Sequence, residues 1–319
     1  MIVLWIVLAV LAAAFLVFEG YCLWASVFRH RQPDLATEEG FLRSEYAKYA
    51  EHILPGGAWI RSKEPEPWQV VSYDGKLLSG LFIAHENAKG TVVFFHGYRS
   101  SCFVDFAAGV QFYYNEGYNL LLCDQRAHGK SQGRVISYGV KERYDVVSWT
   151  TYLAMTFGEE HPIFLAGMSM GAATVLMASE LEFCANIRGI VADCGFTGPW
   201  SILDHVMTRD YHIPGKIFLP VQNVFTRIFA GFSLKGASTV EALRHTALPV
   251  LLIHGTGDNF VPCRMSEENY AACAGEKKLL LVNGAGHAHS YLVDPLRYED
   301  EVRTFLQEHL APTCEAEKA

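Results

Sequence analysis

Six short runs in this chain are apolar almost without interruption: residues 91–95 (TVVFF), 119–123 (NLLLC), 163–166 (IFLA), 187–192 (IRGIVA), 249–253 (PVLLI) and 278–282 (KLLLV). A strand with one face in water alternates apolar and polar residues, so runs apolar throughout must be covered on both faces. The stretches between them are longer and place apolar residues at helical spacing. Strands separated by helices are what a parallel sheet wrapped on both sides requires. Ahead of these runs, residues 68–73 and 76–84 flank Asp74-Gly75, a turn signal that joins antiparallel strands. The expected fold is α/β, a hairpin feeding a doubly wound, mostly parallel sheet. Residues 197–247 break the alternation, rich in Phe, Ile and Val but without a clean strand. They are expected to form a small helical cap of two or three helices.

Residues 1–18 (MIVLWIVLAVLAAAFLVF) carry no charge, and the apolar character continues to Phe28 with Glu19 as the only charge. At about 1.5 Å per residue such a run crosses a hydrocarbon core of about 30 Å. A cleaved signal peptide starts with a basic segment; here no basic residue precedes the run, and Arg29 and Arg31 follow it. The expectation is an uncleaved transmembrane helix over residues 1–28, single-pass, with the rest of the chain on the cytoplasmic side by the positive-inside tendency. Residues 29–67 are mixed and polar, with Pro55-Gly56-Gly57 and Pro65-Glu66-Pro67 as breakers, and read as a connector with one short helix. Residues 68–319 remain for the folded domain.

Lys and Arg number 26 against 34 Asp and Glu among 319 residues, a formal charge of −8. That balance disfavours attraction to nucleic acid, which rewards a basic surface. The eight cysteines show no Cys-x-x-Cys pair or other zinc spacing, and they suit a reducing compartment as buried or free thiols.

The chemistry gathers at Gly167-Met168-Ser169-Met170-Gly171, directly after the run 163–166 and before a stretch of Ala, Val, Leu and Met. A serine on a sharp strand-to-helix turn needs small neighbours, because the turn is strained and other backbone comes close. The turn lifts the hydroxyl clear and aims the backbone N–H of Met170 at any oxyanion formed beside it. A serine hydroxyl is a weak nucleophile, so it needs a base, and the base needs an orienting carboxylate. Gly255-Thr256-Gly257-Asp258 follows one apolar run and Gly284-Ala285-Gly286-His287 follows the next, placing an acid and an imidazole in loops at strand ends where an α/β sheet gathers its site.

Each has a rival. Asp193, after the run 187–192, is an alternative acid, and His289 an alternative base. His287 and His289 have no third ligand at metal spacing, so no metal is expected. Gly97 lets the chain turn closely after the run 91–95, so the N–H of Tyr98 can serve as the second oxyanion donor; the Tyr98 hydroxyl is a further candidate there, and His96 is expected to be structural. Gly129-Lys130-Ser131 suggests a phosphate loop, but Asp124 stands where its first glycine is required. The segment instead reads as a loop tied down by Asp124 and Arg126.

Taken together, HGYRSS at 96–101, DQRAHGKSQG at 124–133, GVKERYD at 139–145, GMSMG at 167–171, ADCGF at 192–196, HGTGDNFVP at 254–262 and GAGHAHSY at 284–291 resemble the α/β-hydrolase superfamily over roughly residues 68–310. The likeness is to the bacterial branch related to BEM46-like and serine aminopeptidase-like hydrolases, which often carry one amino-terminal membrane segment. The resemblance implies Ser169 as nucleophile, Asp258 as acid, His287 as base and the N–H groups of Tyr98 and Met170 as oxyanion hole. Asn259 departs from the second acid of many relatives and leaves the triad intact. The implied activity is a serine hydrolase without cofactor, acting on a small-molecule carboxylic ester or acyl substrate. An aminopeptidase or acyl-peptide hydrolase is the alternative, with Glu142, Glu180, Asp204 or Asp210 as acids for a substrate amine. A non-catalytic scaffold on the same fold is the alternative from another class. Substrate choice is expected to reside in residues 197–247.

Overall fold

The computed structural model describes residues 1–31 and 33–310, apart from the side chain of Glu45. The apolar runs become strands β3 (Thr91–Phe95), β4 (Asn119–Cys123), β5 (Ile163–Met168), β6 (Ile187–Asp193), β7 (Val250–Gly255) and β8 (Lys277–Val282), preceded by the hairpin β1 (Glu66–Val71) and β2 (Leu77–Ile83). They form one eight-stranded sheet in the order β1-β2-β4-β3-β5-β6-β7-β8. The pairs β1/β2 and β2/β4 are antiparallel and all others parallel. The expected hairpin and doubly wound sheet are therefore both present.

Alternation along each strand sorts side chains onto two cores, as a period of two requires. Val92, Phe94, Leu120, Leu122 and Phe164 pack with Ile53 and Ile60 of helix Ala50–Ser62 and with Phe305 and Leu306 of helix Pro295–Leu310. Val93, Phe95, Leu121 and Leu165 pack with Trp149 of helix Glu142–Phe157 and with Val175 and Leu176 of helix Met170–Ala178. Growth of the sheet in both directions from β3 puts β4 on one side of it and β5 on the other. The carboxyl ends of β3 and β5 thus flank a topological switch point, where open α/β sheets bind ligands.

Between Thr37 and Lys63 the expectation of one short helix is corrected to three helical segments, Glu38–Leu42, Glu45–Tyr49 and Ala50–Ser62. Pro55-Gly56-Gly57, read above as breakers, lies inside the last of these. A Cβ on Gly56 would sit 1.8 Å from the Ala107 carbonyl oxygen, so the glycine answers a close tertiary approach of helix to loop and not a turn. Residues 197–247 hold the helices Pro199–Tyr211, Gly215–Phe225 and Thr239–Leu243, with a π turn at Thr226–Ala230.

The amino-terminal helix Ile2–Val27 is long and apolar enough to cross a membrane, with a mean hydropathy of 2.7 in its most apolar window. Its last turns are part of the domain. Leu23 and Val27 are buried among Ala127, Tyr138, Met170 and Phe196. Phe28 pairs with Val135, while the N–H of Ile136 donates to the Val27 carbonyl and that of Arg29 to the Arg134 carbonyl, each at 2.8 Å.

Candidate active site

Ser169 stands between β5 and helix Met170–Ala178 with φ 55° and ψ −113°, a conformation costly for a residue with a Cβ and held only where surroundings over-determine it. Its N–H donates to the Asp193 carbonyl at 2.8 Å. A Cβ at Gly167 would lie 2.4 Å from the Gly171 carbonyl oxygen, and one at Gly171 only 1.8 Å from that of Phe95. Strand, turn and helix are compressed so tightly that both flanking positions exclude any side chain.

Three sequence-selected residues meet at this turn. The Ser169 hydroxyl is 2.9 Å from His287 Nε2, and His287 Nδ1 is 2.7 Å from Asp258 Oδ2. The other carboxylate oxygen of Asp258 accepts the N–H groups of Phe260 at 2.8 Å and Val261 at 2.9 Å. Burial alone would raise the pKa of Asp258, but hydrogen bonds from His254, His287 and Val261 outweigh it and hold the carboxyl well below the usual range. His254, wholly buried, brings Nε2 to 3.3 Å from Asp258 Oδ2. Burial works against its charged form, yet its contact with Asp258 and the Val261 carbonyl shifts it upward.

The rivals lie close by but make other contacts. Asp193 accepts from the Ser290 hydroxyl at 3.1 Å, its second oxygen has no hydrogen-bond partner among the described residues, and burial pushes its pKa up to about 6. His289 packs against the Tyr49 ring at 4.7 Å, and burial lowers its pKa. Cys194, Asp258 and His287 place donor atoms within 4.8 Å of one another. As a metal site they fit poorly, because burial keeps the Cys194 thiol protonated and His287 Nδ1 is engaged with Asp258.

Opposite Ser169, β3 ends in His96-Gly97-Tyr98. The N–H of Gly97 donates to Asp105 Oδ2 at 2.5 Å and that of Arg99 to His128 Nε2 at 3.0 Å, which leaves the N–H of Tyr98 between two occupied donors. The N–H of Met170, at the first position of its helix, has no acceptor one turn back. His96 is buried and accepts the Gln125 N–H at 3.1 Å, as a structural residue would. The Tyr98 hydroxyl, a candidate for the oxyanion site, points elsewhere and donates to the Ser26 carbonyl at 2.7 Å. Asp124 accepts the Lys130 N–H at 2.8 Å and Arg126 grips Asp145 of helix Glu142–Phe157 at 2.6 Å, so the segment 124–131 is braced both within itself and against that helix.

Two contributors escape the sequence reading. Asp105, half-buried, accepts from Gly97 and from the Ser100 hydroxyl and so fixes the loop facing Ser169; its one signal is an acid within the apolar CFVD. His254 ends an apolar strand, a position where a polar side chain needs a reason. The cavity of about 570 Å³ beside Ser169 is lined by Tyr46, Lys48, Tyr49 and Ile53 together with Phe260, His287 and Leu292. Among the described residues none of 197–247 lines it, so residues of the connector stand where the cap was expected.

A family model described as "Alpha/beta hydrolase family" matches residues 92–301. The uncharacterized protein YqkD of Bacillus subtilis is 26% identical over 76% of this chain and 79% of its own length. YfhR of Escherichia coli strain K12, also uncharacterized, is 24% identical over 71% of this chain and 76% of its own. The Pyrococcus furiosus esterase Pf2001 superposes with a TM-score of 0.64 at 24% identity, covering 79% of this chain and 94% of that one. The acylaminoacyl peptidase of Pyrococcus horikoshii superposes at 0.59 with 15% identity, covering 80% of this chain and 43% of that one, so the shared fold hosts both kinds of substrate. A match spanning most of the folded part, on a sheet with this order and switch point, places the chain in the alpha/beta hydrolase family.

Proposed function

We propose that the chain is a membrane-anchored serine hydrolase that cleaves carboxylic esters through an acyl-enzyme. The observation that carries the proposal is the hydrogen-bonded line from Ser169 through His287 to Asp258 at 2.9 and 2.7 Å, with the serine raised on a strained turn. In this reading His287 Nε2 takes the Ser169 proton as Oγ attacks the ester carbonyl. Asp258, kept ionised by its donors, fixes the imidazole with Nδ1–H toward the carboxylate and stabilises the imidazolium. The N–H groups of Tyr98 and Met170 receive the oxyanion. His287 then protonates the departing alcohol, and water activated by the same base releases the acid. No step calls for a cofactor.

The cavity walls favour an ester over an aminopeptide. A substrate ammonium needs a free carboxylate, and of the acids expected to supply one, Glu142 accepts from Ser137 and Gly139, Glu180 pairs with Arg143 and Asp210 pairs with Arg209. None of these, nor Asp204, lines the cavity. Among the described residues the one acid that lines it is Asp105, whose oxygens are taken by Gly97 and Ser100. Helix Ile2–Val27 is assigned as the anchor, with Arg29 and Arg31 marking the cytoplasmic side.

The test is turnover of a p-nitrophenyl ester series from acetate to palmitate beside aminoacyl anilides, with the full chain and its Ser169→Ala variant. Ester turnover that falls by about three or more orders of magnitude in the variant is expected. Anilide turnover alone would move the assignment to a peptidase, and ester turnover that survives the substitution would remove Ser169 as nucleophile.

A further inference from the structure

Helix Gly215–Phe225 and the π turn Thr226–Ala230 lie along the amino-terminal helix and away from the cavity. The Phe218 ring meets Phe15 at 5.4 Å and Phe18 at 5.8 Å, and the Gln222 amide donates to the Glu19 carbonyl at 2.6 Å. Leu219, Gln222, Thr226 and Ala230 are buried, whereas Ile217, Val224, Ile228 and Phe229 are 55, 49, 67 and 61% exposed. An apolar face turned outward beside a buried one is not a normal end state in water, where exposed apolar residues are scattered singly.

We propose that residues 215–230 are embedded in the membrane leaflet beside the amino-terminal helix, with Ile217, Val224, Ile228 and Phe229 against lipid acyl chains; this rests on reading Ile2–Val27 as a membrane span. The contacts set the depth. A span of about 20 residues counted from Ile2 reaches Tyr21, so contacts at Phe15 to Glu19 lie up to about 9 Å inside that boundary at about 1.5 Å per residue. Amphipathic interfacial helices bury their apolar face about 5–10 Å into the headgroup and acyl boundary. Tyr21 and Trp24, both exposed, stand at the level where aromatic side chains collect at an interface. Charge agrees. Residues 211–240 contain Lys216, Arg227 and Lys235 and no acid, in a chain of net charge −8. Basic residues flanking an apolar face suit an anionic lipid surface.

The test places a photoreactive benzoyl-phenylalanine at Phe229 in the full chain, reconstituted in vesicles of phosphatidylcholine and phosphatidylglycerol. Leu11, within the span, and Met155, exposed on helix Glu142–Phe157, serve as parallel sites. The expected result is a lipid adduct at 229 in yield comparable with that at Leu11, and none above background at Met155. A covalent dimer through 229 would overturn the proposal in favour of a second copy of the chain covering this face. Absence of any adduct at 229 while Leu11 captures lipid would overturn it and leave the span intact. Failure at both sites would remove the span reading itself, and esterase activity enters none of these readouts.

Discussion

The Tyr98 hydroxyl donates to the Ser26 carbonyl at 2.7 Å. Tyr98, which lines the cavity with Ser169 and whose backbone N–H is proposed as an oxyanion donor, is thus tied through its side chain to the last turn of the amino-terminal helix. Tyr138 donates to the same carbonyl at 2.8 Å, and Arg99 reaches the Phe28 carbonyl at 3.2 Å. A helix that served only as a tether would need none of these bonds. These bonds join the helix end directly to the loop after β3.

Tyr98→Phe removes one of the bonds and keeps the backbone donor. Ser26 retains Tyr138, so the fold should persist while the loop loosens. A single hydrogen bond contributes about 1 kcal/mol, and if that appears in the transition state, kcat on a p-nitrophenyl ester falls by roughly three- to tenfold with KM little changed. Unchanged kcat would show that the tether does not position the loop.

Leu23 and Val27 are 4 and 1% exposed, and deleting them uncovers Tyr138, Met170 and Phe196. At about 1.5–3 kcal/mol for each buried side chain, a chain beginning at Pro33 should be less stable by roughly 3–6 kcal/mol than one beginning at Gly20. For a domain of this size that is a melting temperature lower by roughly 10 °C. Equal melting temperatures by circular dichroism would show that the helix end adds no stability.

Asp193 gives a pH signature. Its pKa rises with burial from 3.8 to about 6, so between these values the folded state holds a proton that the unfolded state has lost. Stability therefore falls as pH rises from about 4 to about 6 and is level above. Asp193→Asn keeps an acceptor for Ser290 and removes the buried charge. It should be the more stable protein at pH 8, by about 3 kcal/mol at most, with the difference vanishing near pH 4. Denaturant melts at the two pH values decide it, and a variant less stable at pH 8 would show Asp193 to be favourably ionised.

Tyr49, in the connector, lines the cavity beside Ser169 and meets the His289 ring edge to face. Tyr49→Ala should enlarge the space and shift the ester preference toward longer acyl chains. Leu203→Ala, in the helix Pro199–Tyr211 and away from the cavity, should leave it unchanged. The ratio of kcat/KM for octanoate to that for acetate measures both, and a shift in the second alone would return substrate choice to the cap.

The sheet was legible because strands buried on both faces announce themselves as unbroken apolar runs, and the positions of Ser169, Asp258 and His287 because each closes such a run with a glycine-rich turn. What stayed hidden depends on contacts between distant segments. Gly56 reads as a breaker until the Ala107 carbonyl is seen against it. Leu23 and Val27 are indistinguishable in sequence from their lipid-suited neighbours, and only the fold shows that they enter the domain. Nothing in the run from Tyr46 to Ile53 signals that it walls the cavity, because that follows from where helix Ala50–Ser62 docks.

The central claim is that Ser169 is the nucleophile activated by His287. Treating the full chain with a fluorophosphonate and mapping the adduct by peptide mass spectrometry tests it most directly. The account predicts one adduct, on the Ser169 hydroxyl, lost in His287→Ala and retained in Asp193→Asn; no adduct, or one on another residue, would contradict it.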